Sequence, residues 1–197
     1  MSPRTPMAET RRLEELATIR NGYAPRQLVT DPASAYRGLQ VRDLGRDAAV
    51  DWARLEAPRV AGDASRYEVR DGDLIVTLRG TPRAWRLTSP PERVIVVGQL
   101  ALVTPHAGAV EPDYLCWYLN HPATLAELRA VARGSSLPFV SMSELRALRV
   151  PVPSLKAQRA IGRVATLAQH EQRLQQAIAA AHLRRTDVQL LRVAHTR

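Results

Sequence analysis

Lysine is nearly missing from this chain of 197 residues: of 28 basic side chains one is lysine, Lys156, and the rest are arginine. A Walker A loop needs Gly-Lys-Ser/Thr, and Lys156 follows Leu155, so ATP hydrolysis of that kind is excluded. Nucleases built on a Glu-x-Lys pair are excluded too, because Ser154 stands two residues before Lys156. No two of the ten glycines are separated by one residue, so no Gly-x-Gly cofactor turn exists, and no Gly-x-Ser-x-Gly elbow occurs. The five histidines form no His-x-x-x-His pair, and the one cysteine, Cys116, forms no Cys-x-x-Cys. Cys116 and His121 can share a helical face, but two ligands make no zinc site; a buried thiol beside an ordinary histidine is the better reading. A lone cysteine fits a reducing, cytosolic setting, and the opening Met1-Ser2-Pro3-Arg4-Thr5-Pro6 has no apolar segment behind it to direct secretion. No apolar run approaches the 18 or so residues that a membrane span needs. The expectation is a non-catalytic protein with no cofactor and no metal.

Charge, by contrast, is abundant and one-sided. The chain carries 28 Lys+Arg against 19 Asp+Glu, a formal net of +9. Arginine offers a planar fork for phosphates and guanine edges, so this balance favours a polyanionic partner. Five tyrosines, three tryptophans and one phenylalanine without a clustered stacking motif give little support to RNA as that partner.

The chain reads as an α+β fold, a compact mixed α/β body over residues 1–153 followed by one long helix over 154–197. Thr10 to Arg20 has apolar residues at 13, 16, 17 and 19, a short amphipathic element. Tyr36 to Leu44 reads as a strand, and the acidic stretch 43–73 as exposed loops with a strand at Tyr67–Val69. Asp71-Gly72 launches a strand from Asp73 to Leu78; Arg79 to Arg86 is a loop; Arg93 to Val103 is a buried strand. Helices are predicted from Pro112 to Asn120 and from Pro122 to Val131. After Pro151-Val152-Pro153, Ser154 caps a proline-free stretch whose only glycine is Gly162. Ala157, Ala160, Val164, Leu167, Glu171, Leu174, Ile178, Ala181, Arg185 and Val188 recur at alternating spacings of three and four, a heptad-like seam with polar interruptions. The 44 residues from Ser154 carry eight basic and two acidic groups, net +6 of the +9. About 40 helical residues reach roughly 60 Å. Such a helix either pairs with another helix through Val164, Leu167, Leu174, Ile178, Ala181 and Val188, or folds back on its own domain; pairing in a coiled coil is the expectation.

Leu145-Arg146-Ala147-Leu148-Arg149-Val150-Pro151-Val152-Pro153-Ser154-Leu155-Lys156-Ala157-Gln158-Arg159-Ala160-Ile161 resembles the segment that closes a target recognition domain in specificity subunits of type I restriction–modification systems. Further matches fall in family order: Leu13, Leu16, Ala17, Ile19 and Gly22 to Pro25; Gly38 to Leu44; Gly72 to Val76; Arg79-Gly80-Thr81; and Gly134-Ser135-Ser136. The pattern departs where Ser154 replaces a usual second proline and Ala157 a usual glutamate. It departs also in copy number, since the family usually carries two recognition domains and two long helices. The resemblance therefore implies a half subunit: a target recognition domain over 1–153 and a dimerisation and spacer helix over 154–197. It implies binding of double-stranded DNA at one half of a bipartite target and recruitment of a methyltransferase subunit, which would hold the S-adenosylmethionine. A restriction or translocase subunit can join the same complex, and an antiparallel homodimer would restore two recognition domains. The competing reading is a dimeric adaptor of a defence or methylation complex that does not read DNA sequence.

Sequence recognition needs cations on phosphates and forked donors or amides on base edges. Arg79, Thr81, Arg83 and Arg86 lie in one candidate loop, around a glycine that lets backbone approach closely. Arg133, Ser135 and Ser136 lie in a second, where Gly134 ends a helix. Gln99, after Gly98, faces adenine if its strand is exposed and is otherwise a satisfied sheet residue. For each arginine the plain alternative is a solvated surface charge, and for Trp85 a place in the core rather than on a base.

Overall fold

The computed structural model describes residues 9–25, 27, 29–45, 50–134 and 136–195. The stretch Thr10–Arg20 is two strands around a single helical turn: β1 (Glu9–Arg12), α1 (Leu13–Leu16) and β2 (Ala17–Asn21). Its apolar spacing mixes two periods. Leu13 and Leu16 are three apart and buried on the turn, whereas buried Ala17 and Ile19 alternate with more exposed Thr18 and Arg20, as a strand requires.

The central sheet is antiparallel throughout, in the order β2, β7 (Leu100–Pro105), β4 (Leu74–Thr77), β5 (Arg83–Arg86). β4 is buried at every residue because both faces are covered. Leu74 and Val76 point into one core with Ala101 and Val103, and Ile75 points into another with Leu100 and Leu102. The first core is closed by α2 (Pro112–Leu119), α3 (Pro122–Val131) and α4 (Met142–Ala147). The second is closed by a parallel pair, β3 (Arg37–Leu39) with β6 (Val94–Val96), and by Leu55, Val69 and Leu87.

Several expectations are corrected here. The strand expected over 36–44 ends at Leu39 and gives way to a single 3₁₀ turn at Val41–Asp43, whose start is tied by Gln40 N–H donating to Asp43 at 2.8 Å. Ser65–Tyr67 is a 3₁₀ turn rather than the beginning of a strand, with one bridge from Glu68 to Ile95. The acidic stretch is not wholly exposed, since Leu55, Ala57 and Val69 are buried. Arg79–Arg86 is not all loop: Arg83–Arg86 pairs with β4 as the sheet's last strand. Arg93–Val103 is two strands in two sheets, broken at Gly98, whose φ of +90° favours glycine.

The chain's start and the body's last strand close on each other. β1 pairs antiparallel with β8 (Arg149–Val152), Glu9 opposite Val152 and Arg12 opposite Arg149. From β8 the chain enters α5, which runs as one helix from Leu155 to His195, with Ser154 Oγ accepting from the Ala157 N–H at 3.3 Å. α2 fixes this junction. Tyr114 and Tyr118 donate to the carbonyls of Pro151 and Arg149 at 2.7 and 2.9 Å. Gln158, fully buried, accepts from Glu111 N–H at 2.9 Å and donates to the Pro153 carbonyl at 2.8 Å. Gly162 sits so close to α2 that a Cβ there would lie 2.8 Å from the Asp113 Cβ.

Beyond this contact the helix does not fold back. Val164, Leu167, Leu174, Ile178 and Val188 are 67, 68, 51, 56 and 49% exposed. The side turned toward the body carries Gln158, Gly162, Gln169, Gln172, Arg173 and Gln176 instead. The apolar stripe thus faces away from the protein's own core. Among the described residues no helix is long and apolar enough to cross a membrane.

Gln158→Ala would strand the Glu111 N–H and the Pro153 carbonyl without partners in a dry junction, a cost of about 1–3 kcal/mol. Chemical denaturation of the variant should show that loss; an unchanged midpoint would mean that the junction does not depend on this side chain.

Candidate nucleic-acid interface

Two loops far apart in sequence meet beside the end of β4. Arg133 and Phe139 exchange both backbone hydrogen bonds, at 2.9 and 2.8 Å, and so pinch off residues 134–138 as a loop. That loop lies along the 78–80 segment, with Gly80 N–H donating to Pro138 O and Val140 N–H to Leu78 O, each at 2.8 Å. Arg79 is brought over the Phe139 ring, 5.8 Å from its centre. Phe139 and Leu137 remain 37 and 51% exposed.

Gln99 completes the arrangement. Two adjoining hollows share Arg79, Gly98 and Gln99 as their common wall. One continues past Gln40, Val41 and Arg42, the other past Asn21, Phe139 and Ser141. Together they form a groove lined by guanidinium, amide, hydroxyl and apolar groups. Among the described residues no carboxylate, histidine or cysteine lines it. Arg79 has no carboxylate partner among the described residues, whereas Arg42 is paired with Glu56 on its outer side. Such a set can grip a phosphate or read a base edge.

The other anticipated residues fall in different places. Arg133 and Ser136 lie on the loop that borders the groove, and both are exposed. Arg133 Nε is 3.4 Å from Glu144 Oε1. Backbone and hydroxyl hydrogen bonds from Ser141, with Arg133 adding to them, hold the Glu144 carboxyl below the usual carboxylate range. Ser135 lies outside the described residues. Thr81 and Arg83 line a separate cleft between β5 and α5, with Asn120, Gln169, Gln172 and Arg173 around them. Arg86 is half-buried, with Nε 3.3 Å from Asp113 and a terminal nitrogen 3.9 Å from Asp71, which ties β5 to α2.

Trp85 belongs to the core: it is 7% exposed and its Nε1–H donates to Gly45 O at 2.9 Å. Cys116 is partly buried beside the Ala84 carbonyl, and loss of solvation pushes its thiol up to about 11, so it stays protonated at neutral pH. His121 caps α3 by accepting from Ala123 N–H at 3.3 Å, and no group of potential metal ligands occurs among the described residues. Sequence reading missed Gln40, Arg42 and Phe139. Nothing local marks them, because the groove is made by non-adjacent segments. Phe139 alone carried a signal, as the only phenylalanine in the chain.

No family sequence model matches the chain, and no curated protein sequence does. Solved structures do. The type I restriction–modification S subunit from M. genitalium superposes with a TM-score of 0.57 at 15% identity, covering 94% of this chain and 45% of that one. A chain from a structure describing complex assembly and conformational transition of the type I R-M system gives 0.62 at 19%, covering 98 and 46%. The HsdS subunit from Thermoanaerobacter tengcongensis gives 0.57 at 21%, covering 91 and 41%. The chain therefore has the fold of type I specificity subunits over nearly its whole length, and it spans less than half the length of each. The mixed α/β body with a long C-terminal helix that the sequence implied is the fold observed.

Arg79→Ala and Gln99→Ala should each weaken binding to a cognate duplex by about 1–3 kcal/mol, as loss of a base-edge contact does. Arg86→Ala should cost stability before it costs affinity. Equal affinity of both groove variants and wild type in a low-salt titration would remove the groove as the reading surface.

Proposed function

We propose that this chain is a non-catalytic DNA-recognition subunit of a type I restriction–modification-like system. Residues 1–153 act as one target recognition domain, and residues 154–197 as the dimerisation and spacer helix. The observation that carries this reading is the acid-free groove of Arg79, Gln99 and Phe139 on a body whose fold is that of half a specificity subunit. One domain reads one half of a bipartite double-stranded target. Two chains, paired antiparallel through Val164, Leu167, Leu174, Ile178, Ala181 and Val188, present two such domains at a fixed separation. A two-fold assembly of that kind demands inverted half-sites with an unread gap.

The exposed apolar stripe supports the pairing, because a helix meant for its own domain turns the apolar side inward. The chemistry is supplied by partners: a methyltransferase subunit that binds S-adenosylmethionine and, in a complete system, a restriction or translocase subunit. The chain itself takes no cofactor, and it works in the cytoplasm. Within the groove Arg79 and Gln99 are the base readers, while Arg133 and Ser136, and in the second cleft Thr81 and Arg83, take phosphates.

Selection of purified protein against a random duplex library tests this. The expected result is enrichment of an inverted, gapped motif, with binding that falls steeply with salt, log K dropping by about 0.9 per phosphate contact for each tenfold rise in salt. No enrichment and a flat, weak salt response would favour the adaptor that docks a complex without reading sequence.

A further inference from the structure

The outward stripe of α5 carries two interruptions, and they have opposite charge. Glu171 and Arg185 both fall on the line of Val164, Leu167, Leu174, Ile178 and Val188, and both side chains are exposed. Glu171 accepts a hydrogen bond from Gln175 Nε2 at 3.2 Å, and neither Glu171 nor Arg185 makes an ion pair within the protomer among the described residues. A charge placed on an apolar seam costs stability unless it meets its opposite.

We propose that Glu171 of one copy pairs with Arg185 of a second copy, twice about the two-fold axis, and that this reciprocal pair selects the antiparallel over the in-register parallel arrangement of the helices. It rests on the homodimer proposed above and adds what fixes its direction. In antiparallel packing, positions whose numbers share a common sum face each other. Setting Val164 opposite Val188 puts Leu174 opposite Ile178 in the same register, with the axis near residue 176. Glu171 then faces Ala181 of the second copy, with Arg185 one turn further along the same stripe, within reach of its long side chain. The stem of Arg185 lies across Leu167. In an in-register parallel pair, Glu171 would face Glu171 and Arg185 would face Arg185, so each interruption would meet its own charge on the seam. A slip by one heptad takes Val164 off Val188 and Leu174 off Ile178 but leaves Glu171 and Arg185 within reach, so apolar matching sets the alignment. The charges select the direction, as polar groups on coiled-coil seams do.

The test is charge reversal read by sedimentation equilibrium of the full chain, with circular dichroism confirming that each variant keeps its helix. Glu171→Arg or Arg185→Glu alone should raise the dimer dissociation constant by about a hundredfold, because like charges then meet at both ends. The double variant E171R/R185E should return to within about threefold of wild type. A wild-type dimer whose single reversals dimerise equally well, or a double variant no tighter than the singles, would overturn the charge pairing while leaving the homodimer standing. A wild-type chain that is monomeric at micromolar concentration would overturn the homodimer itself.

Discussion

The junction of α2 with the start of α5 decides how the rest of the molecule can be used. Gln158 and Gly162 bring the helix against α2, and Tyr114 and Tyr118 tie the same α2 to the strand that feeds the helix. With those four points fixed, the rotation of α5 about its axis is fixed as well. Glutamines and Arg173 then turn toward the body, and Val164, Leu167, Leu174, Ile178 and Val188 turn outward. Amphipathic helices of single-domain proteins do the opposite. The exposed stripe is thus a consequence of how the junction is made, and it passes from the first turns after Gly162 almost to the end of the helix.

The same body builds the groove by a different economy. Its central strands are buried on both faces, so they supply rigidity and leave recognition to the loops at their ends. Gly98, with its positive φ, ends one strand beside Gln99, and the pinched loop after Arg133 delivers Phe139 against Arg79. Acidic groups are kept elsewhere: they pair with Arg42, Arg86 and Arg133 at the edges. What faces the groove includes the Arg79 guanidinium, with no carboxylate partner among the described residues, two glutamines and an aromatic ring, a surface suited to a polyanion with readable edges.

Much of this architecture was legible in the sequence, and the failures have physical causes. The helices at Pro112, Pro122 and Leu155 announced themselves through proline at the first turn, a serine cap and regular apolar spacing. The strand around Ile75 was clear from its continuous apolar run. The errors arose where tertiary partners override local pattern. Arg83–Arg86 becomes a strand because β4 offers it an edge, not because its residues favour one. Arg93–Val103 splits because one glycine can bend where an apolar run cannot show it. The candidate readers were named by chemistry alone, and chemistry could not separate Arg79, without a carboxylate partner among the described residues, from Arg86, tied to Asp113. That distinction depends on which carboxylates the fold brings near, and loops contributed by distant segments carry no trace of it in sequence.

If the outward stripe is a seam between two copies, its backbone amides are protected by association and not by the helix alone. Hydrogen exchange across residues 164–191, measured at several protein concentrations, tests this most directly. The account predicts slow exchange that strengthens as concentration rises, with the body's central strands unchanged throughout. Fast exchange in the helix at every concentration, beside a well-protected sheet, would contradict it.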